Sequence, residues 1–180
     1  MKLMIAALCV CAAASLGATT LVPVELDELS RVAQAVAVGR VIAVESQWVE
    51  DHRSIETQVT LDVDAYLKGA LGQTVSFRVP GGQLGQYRQV VIGAPVFERE
   101  QHVVVFLGAH GPSVPYVLGL SQGVFRLQRA SDGTGWVVTP PTVVPAPSGA
   151  SPIVRGDTAR RPVALADFEQ RVRALAAGAR

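Results

Sequence analysis

Two almost continuous apolar runs place the strongest constraint on how this chain can fold. Residues 36–44 read VAVGRVIAV, and residues 102–108 read HVVVFLG. Both runs are rich in β-branched residues and have the length of single strands, which favours buried strands over helices. We therefore expect a mainly β fold in which both segments are buried.

The other β-like segments alternate between apolar and polar residues, which is typical of strands with one buried face. In ETQVTLDVDAYLKG the apolar positions fall on one face, and Lys68 and Gly69 end the strand. A polar turn at residues 49–54 precedes it, and SDGTG at residues 131–135 predicts a hairpin turn. The apolar face of that strand comprises Val59, Leu61, Val63 and Ala65, and further strands are predicted around Val75, Phe77 and Val79, at residues 116–120, at residues 124–128 and after Gly135.

Apolar residues occur at helical spacing near both ends of the chain. Residues 25–33 predict a short helix with acidic residues in its first turn, where the helix dipole favours them. Leu165, Phe168, Val172 and Leu175 predict an amphipathic C-terminal helix. The expected fold is a small mixed-sheet barrel of five or six strands with a helix at each end. The expected layout is a signal peptide at 1–18, the β-barrel domain at 19–139, a Pro- and Ala-rich loop or linker at 140–162 and the C-terminal helix at 163–180.

The first residues, MKLMIAALCVCAAASLGATT, have the order of a secretory signal peptide. One basic residue, Lys2, precedes an apolar run over residues 3–14, and small residues follow at a suitable cleavage point between Ala14 and Thr19. An uncleaved membrane anchor is the alternative, but a spanning helix needs about 20 apolar residues, and Ser15 interrupts this run early. We expect a periplasmic or secreted protein that touches the membrane only transiently, through its signal peptide.

Composition excludes several functional classes. Both cysteines, Cys9 and Cys11, lie in the predicted signal peptide, so the mature chain has no disulfide, no thiolate nucleophile and no cysteine ligand for zinc. Without Lys2, the 16 basic residues become 15 and balance the 15 acidic ones. A nucleic-acid-binding protein needs a basic surface, which this balance does not provide. We expect no cofactor, no metal ion and no nucleic acid.

The stretch FRVPGGQLGQYRQVVIGAPVF, at residues 77–97, contains enough glycine to raise the question of a phosphate-binding loop. Such a loop needs a lysine and a helix directly after its glycines. No lysine follows here, and residues 87–92 are β-like. We interpret the stretch as a strand turn that requires positive φ at Gly81 and Gly82.

GLSQG, at residues 119–123, matches the G-x-S-x-G pattern of serine hydrolases. In those enzymes the serine lies between a strand and a helix, and a histidine follows later in the chain. Here a strand is predicted after the motif, and no histidine follows His110. A hydrolase that uses Ser121, with His52 beside Asp51, is therefore kept only as an alternative, and no catalytic residue is assigned.

The remaining histidines and tryptophans are interpreted as structural. His52, His102 and His110 lack the spacing of metal ligands, and His102, at the head of an apolar strand, is expected to be held by a hydrogen bond. Trp48, near the first polar turn, and Trp136, in the last hairpin, are expected to pack. An exposed aromatic residue at the mouth of a barrel is still where a ligand would bind.

The chain resembles a widespread group of small exported bacterial proteins in four segments. In chain order these are AQAVAVGRVIAVES, TLDVDAYLKG, TVSFRVPGG and VIGAPVFEREQHVVVFLG. Over about residues 33–127 the chain is also similar to the netrin-like domain of tissue inhibitors of metalloproteinases. That resemblance implies a five-stranded OB-type barrel flanked by helices. The inhibitors chelate the zinc of the protease with a disulfide-pinned N-terminal Cys-x-Cys, and the predicted mature start near Thr19 has no such cysteine.

The expected function is that of an exported, non-enzymatic module that binds a protein partner, as an inhibitor or accessory of a secreted metalloprotease. The alternatives are the Ser121 hydrolase and a carrier of a small ligand bound at the barrel mouth. If the mature terminus lies beside the glycine turn, the two segments form one ridge that suits a protease cleft. The candidate binding residues are Thr19, Thr20, Gly81, Gly82 and Trp48.

Overall fold

The computed structural model of the protein describes residues 24–50, 52–109, 111, 113–131, 133, 135–139 and 162–178. The predicted signal peptide and residues 140–161 of the predicted linker lie outside the described residues. The prediction of a mainly β chain, with a short helix before the strands and a longer one after them, is confirmed. In chain order the elements are α1 (Leu26–Val32), β1 (Ala35–Val49), β2 (Ser54–Lys68), β3 (Thr74–Pro80), β4 (Gly82–Leu84), β5 (Tyr87–Gln89), β6 (His102–Gly108), β7 (Tyr116–Val117), a 3-10 helix (Leu120–Gly123), β8 (Val124–Arg129), β9 (Trp136–Thr139), β10 (Val163–Ala164) and α2 (Leu165–Ala177).

The longest element is the hairpin of β1 and β2, two 15-residue strands that pair antiparallel. The predicted polar turn joins them, with positive φ at Glu50 (53°) and His52 (69°). The register shifts at three places along β1, the last of them between Val41 and Ala43. Each shift is a β-bulge or a similar irregularity of the pairing. Such irregularities bend a strand and increase its twist, so a hairpin of this length can curve around a core.

Five strands close a ring. Their order is β1-β2-β3-β7-β6, and β6 pairs back onto β1 over residues 35–40 of that strand. The pairings are antiparallel except for that of β3 with β7, which is parallel and joins Arg78 to Tyr116. From β6 the sheet continues outside the ring through β8, β9 and β10. The result is a large mixed sheet that is partly closed on itself.

Two apolar cores lie on opposite faces of β1 and β6. The ring core fills the interior of the closed strands, and the helix-side core lies between the outer face of the sheet and the two helices. In β6, Val103, Val105 and Leu107 enter the ring core, while Val104 and Phe106 enter the helix-side core. A strand that is buried on both faces needs apolar residues at successive positions, which explains the two almost continuous apolar runs.

Both helices pack on the helix-side core and contact each other. From α2, Phe168 and Val172 are buried there, as their helical spacing predicts. The Nζ group of Lys68 donates hydrogen bonds of 2.8 Å to the carbonyl oxygens of Ser30 and Arg31, at the C-terminal end of α1, where the helix dipole favours a cation. Partial burial, followed by the positive charge of Arg31, lowers the pKa of Lys68.

Two strands were predicted to be longer than they are. A strand is predicted at residues 116–120, but only Tyr116–Val117 is a strand, because positive φ at Gly119 (60°) and Leu120 (55°) turns the chain into the 3-10 helix. Residues 87–92 are predicted to be β-like, but the strand ends at Gln89. The described residues form ten strands where five or six are predicted, because β4, β5, β7 and β10 are pieces of two or three residues.

The close approach of β1 and β2 depends on Gly39, since a Cβ atom there would collide with the backbone carbonyl oxygen of Asp62. Gly39→Ala should destabilise the fold by about 1–3 kcal/mol, the usual cost of overpacking, measured by urea unfolding. Gly135→Ala is the matched control, because no described atom lies within 4 Å of its Cβ position. Equal effects of the two changes would contradict the close approach of the strands.

Candidate functional site

The glycine-rich segment forms a turn and a small hairpin rather than a phosphate-binding loop. The chain leaves β3 through Gly81 (φ 85°) and Gly82 (φ 150°), the two positions at which positive φ is predicted. It then forms the hairpin of β4 and β5, with Gly85 and Gln86 at its tip. The predicted turn is confirmed, and it leads the chain across the ends of β1 and β2.

Two hydroxyl groups hold the base of this hairpin against the sheet. The Oγ1 group of Thr57 donates a 2.7 Å hydrogen bond to the carbonyl oxygen of Gly81 and lies 3.1 Å from the Oγ of Ser46. A Cβ atom on Gly82 would collide with both hydroxyl groups, so this position requires glycine. At the other end of the hairpin, Oε1 of Gln89 accepts a 2.6 Å hydrogen bond from a backbone N–H of β2. The hairpin is therefore fixed at both ends to β2.

An aromatic pair lies at the same end of the sheet. The ring of Trp48, near the end of β1, is edge-on to that of Tyr87 in β5, with the centroids 5.3 Å apart. The structure thus brings Trp48 and the glycine turn, both predicted as binding residues, to one end of the β1–β2 hairpin. The other two predicted binding residues, Thr19 and Thr20, lie outside the described residues.

Residues 87–96, which we call the apolar segment, present large hydrophobic side chains to solvent. The exposed fractions are 54% for Tyr87, 72% for Val90, 58% for Ile92 and 70% for Val96. Elsewhere among the described residues, only two large hydrophobic side chains are exposed. Single exposed apolar residues are ordinary, but four within ten residues make this segment the candidate for an interaction site.

A cleft of about 400 Å³ lies between the hairpin and the end of the apolar segment. Its floor is formed by Val44, Thr57 and Val79 of the sheet, and its far wall by residues 94–97. The Nη2 group of Arg126 donates a 3.0 Å hydrogen bond to the carbonyl oxygen of residue 96, which ties the far wall to β8. Apolar side chains predominate, with a few polar groups among them, which is the usual composition of a binding pocket. The polar lining residues are Ser46, Thr57, Gln83, Arg88 and Gln89.

An ion pair fixes the turn that leads from the apolar segment into β6. The Nη1 group of Arg40 lies 2.6 Å from Oε2 of Glu100, and its Nη2 group lies 3.6 Å from Oδ2 of Asp62. The hydrogen bond to Glu100 raises the pKa of Arg40, and the charges of Glu100 and Asp62 act in the same direction. Because arginine stays protonated throughout the physiological range, this contact is structural and independent of pH near neutrality.

The described histidines, His52 and His102, take no part in a metal site of three or more ligands. Within the part of the chain that the structure describes, no group of three or more His, Cys, Asp or Glu side chains is arranged to hold a metal ion. His52 lies against Trp48 (5.7 Å between centroids), and His102 stacks on Trp136 (4.4 Å), where the sequence predicts a hydrogen bond. His110 lies outside the described residues.

Ser121 lies in the 3-10 helix directly before β8, and not between a strand and an α-helix as in a hydrolase. Its N–H donates a 2.9 Å hydrogen bond to the carbonyl oxygen of Gly93, and no hydrogen bond joins its side chain to a described histidine. Gly119 adopts positive φ (60°), and a Cβ atom on Gly123 would collide with the carbonyl oxygen of Leu118. Backbone geometry therefore accounts for both glycines of GLSQG.

Comparison of the chain with protein-family models, with curated proteins and with solved structures finds no match in any of the three. Among the described residues, no helix has the length and apolar character needed to span a membrane.

Sequence reasoning missed the side chains that give this surface its character. Val90, Ile92 and Val96 occur in VVIGAPVF. From the sequence we interpret this stretch as part of a glycine turn with a β-like beginning, and so do not predict that these side chains are exposed. A usable signal was present, because Gly93 and Pro95 interrupt this apolar run and prevent it from continuing as a buried strand. An apolar run that no regular element can bury is a candidate for an exposed binding segment.

Ser121→Ala should change the free energy of unfolding by less than about 1 kcal/mol, because the backbone hydrogen bond of this residue is kept. Neither form should react with a fluorophosphonate probe, as read by intact mass. Gly123→Ala, the matched control in the same motif, should destabilise the fold by about 1–3 kcal/mol. Labelling of Ser121 by the probe would contradict this account and support the hydrolase.

Proposed function

We propose that this chain is an exported, non-enzymatic binding module that contacts a protein partner through the apolar segment and the cleft beside it. The observation that carries the proposal is the exposure of Tyr87, Val90, Ile92 and Val96 within one stretch of ten residues. Full burial of a Val or Ile side chain contributes about 1.5–3 kcal/mol. Val90, Ile92 and Val96 are more than half exposed, so their burial in a complex would contribute several kcal/mol, part of which offsets the entropy lost on association.

The binding surface is held in place before the partner arrives. The hairpin is bonded to β2 through Thr57 and Gln89, and the far wall of the cleft is bonded to Arg126. A preorganised surface loses less conformational entropy on binding than a free loop, so more of the burial energy appears as affinity.

We further propose that the ring is an OB-type barrel of the netrin-like kind. The five-strand order, the closure of β6 onto β1 and the flanking helices support this assignment. OB-type barrels bind their ligands on the face of the second and third strands and on adjacent loops. Thr57 of β2 and Val79 of β3 line the cleft, so the cleft lies at the same two strands, at the end where Val79 packs into the ring core.

An exported protease is the partner that the resemblance to metalloproteinase inhibitors favours. Gly81 and Gly82, one half of the predicted ridge, form part of the cleft wall. The other half, at Thr19 and Thr20, has no disulfide to pin it, so ordering it on a protease would reduce the affinity. Inhibition through this ridge should therefore be no tighter than about micromolar.

A small apolar ligand is the second candidate, because the cleft volume of about 400 Å³ is within the size range of ligand pockets, roughly 300–1,000 Å³. In that case the ligand would occupy the cleft, which Val90 and Val96 also line, and the exposed side chains of Tyr87 and Ile92 beyond it would contribute little. The two candidates therefore differ in their dependence on Ile92 and on the open volume of the cleft.

Combined Val90→Ser, Ile92→Ser and Val96→Ser changes should abolish capture of the partner from the exported protein fraction. The unfolding midpoint should stay nearly unchanged, because the three side chains are exposed. The matched control combines Val32→Ser with Val163→Ser, at valines that are 46% and 42% exposed outside the apolar segment. Bound proteins are quantified by mass spectrometry for the parent chain and both variants.

Equal capture by the two variants would contradict the protein-binding proposal. Ala94→Phe would fill the cleft while leaving the exposed side chains in place. If this change removed a bound small molecule, as seen by native mass spectrometry, while protein capture depended on neither variant, the carrier would be supported instead.

A further inference from the structure

Among the described residues, one edge of β1 is only partly paired. This strand pairs with β2 from residue 36 to its end, but with β6 only at residues 35–40. Two more backbone hydrogen bonds join Val41 to Glu100 (2.8 Å) and Gln101 (2.9 Å). At residues 43–48, which we call the open edge, the backbone is hydrogen-bonded to no described residue outside β2.

The edge is open because the chain that leads into β6 departs from β1 at Glu100. That residue has positive φ (67°), and the ion pair with Arg40 holds its side chain in place. The N–H of Gln101 donates a 3.3 Å hydrogen bond to the carbonyl oxygen of Glu98, which closes a turn. The preceding residues, 94–97, form the far wall of the cleft instead of a strand beside residues 43–48.

The two faces of the open edge differ in chemistry. Val44 and Ser46 line the cleft, whereas Glu45 and Gln47 alternate with them and are exposed. A row of unpaired backbone N–H and C=O groups is a template for another strand. A strand added here would place every second side chain over the cleft near Val96, and the others beside the carboxylate of Glu45.

We propose that the open edge binds an extended segment of the partner as an added β-strand, in which apolar residues alternate with basic ones. This inference rests on the proposed function and names its mode of recognition. The backbone pairing supplies hydrogen bonds and direction, and the apolar segment supplies the buried area. Proline is excluded from the paired positions, because it lacks the N–H that the ladder needs.

Selection of random linear heptapeptides displayed on phage against the full exported chain tests the proposal. The enriched sequences should alternate apolar residues with lysine or arginine and should lack proline at their centre. One enriched sequence is then synthesised unmodified and in two forms with N-methyl groups on alternate residues, offset by one position. One N-methylated form should bind roughly tenfold or more weakly, because its N–H donors face β1, and the other should bind like the parent.

Hydrogen exchange of the complex with the unmodified peptide locates the binding. Exchange should slow at residues 43–48 as well as in the apolar segment. Glu45→Lys should weaken binding of the basic peptide, whereas Glu28→Lys, at an exposed carboxylate on α1, should not.

Three results would overturn the proposal. If exchange slows only at residues 87–97, or if the two N-methylated peptides bind equally well, the edge is not used, although the apolar segment remains the binding surface. If no alternating sequence is enriched, the proposal of strand addition at the open edge fails. The proposed function is then tested by the capture measurement on the variant with Val90→Ser, Ile92→Ser and Val96→Ser alone. If the chain self-associates and the same amides become protected, the edge belongs to a second copy of the chain.

Discussion

The burial of β1 and β6 on both faces is the constraint on which the rest of the structure depends. These two strands pair with each other to close the ring, and they separate the ring core from the helix-side core. Val36 and Val38 of β1 face the helices, while Ala37 and Val41 face the ring interior. Each core needs β1 and β6, and the other core needs the same two strands. Closure of the ring and docking of the helices therefore stabilise each other.

The candidate site follows from a difference in length between these same two strands. β1 has 15 residues and β6 has 7, so the β1–β2 hairpin extends beyond the point at which β6 begins, where His102 pairs with Arg40. The last bulge of β1, next to Val41, lies where the pairing with the β6 side stops. The extended part of the hairpin carries Ser46 and Thr57, which hold the glycine hairpin and line the cleft, and Trp48, which packs against Tyr87 of that hairpin. The part of the β1–β2 hairpin that does not take part in closing the ring is thus the part that carries the proposed binding surface.

Much of this fold could be predicted from the sequence, because strand burial leaves a local pattern. The apolar run at residues 102–108 predicts β6, and the alternation around Val59 and Leu61 predicts β2. The two consecutive glycines, Gly81 and Gly82, predict a turn with positive φ at both positions, as the structure has it. Contacts between distant segments leave no such pattern. The closure of β6 onto β1 and the contact of Trp48 with Tyr87 are therefore seen only in the structure. The positive φ of Leu120 is local, but leucine rarely adopts it, so the residue type does not predict it. The signal peptide and the resemblance to metalloproteinase inhibitors stay predictions.

Native-state hydrogen exchange of a Phe125→Ala variant tests most directly whether the two cores form one unit. Phe125 lies in the helix-side core, with its ring 5.6 Å from that of Phe106 and 4.9 Å from that of Phe168. Removing this ring should cost about 3–5 kcal/mol. The account predicts that amides of β2 and β3, around the ring core, lose as much free energy of opening as those of β8. A loss confined to β8, β9 and α2 would contradict the shared role of β1 and β6.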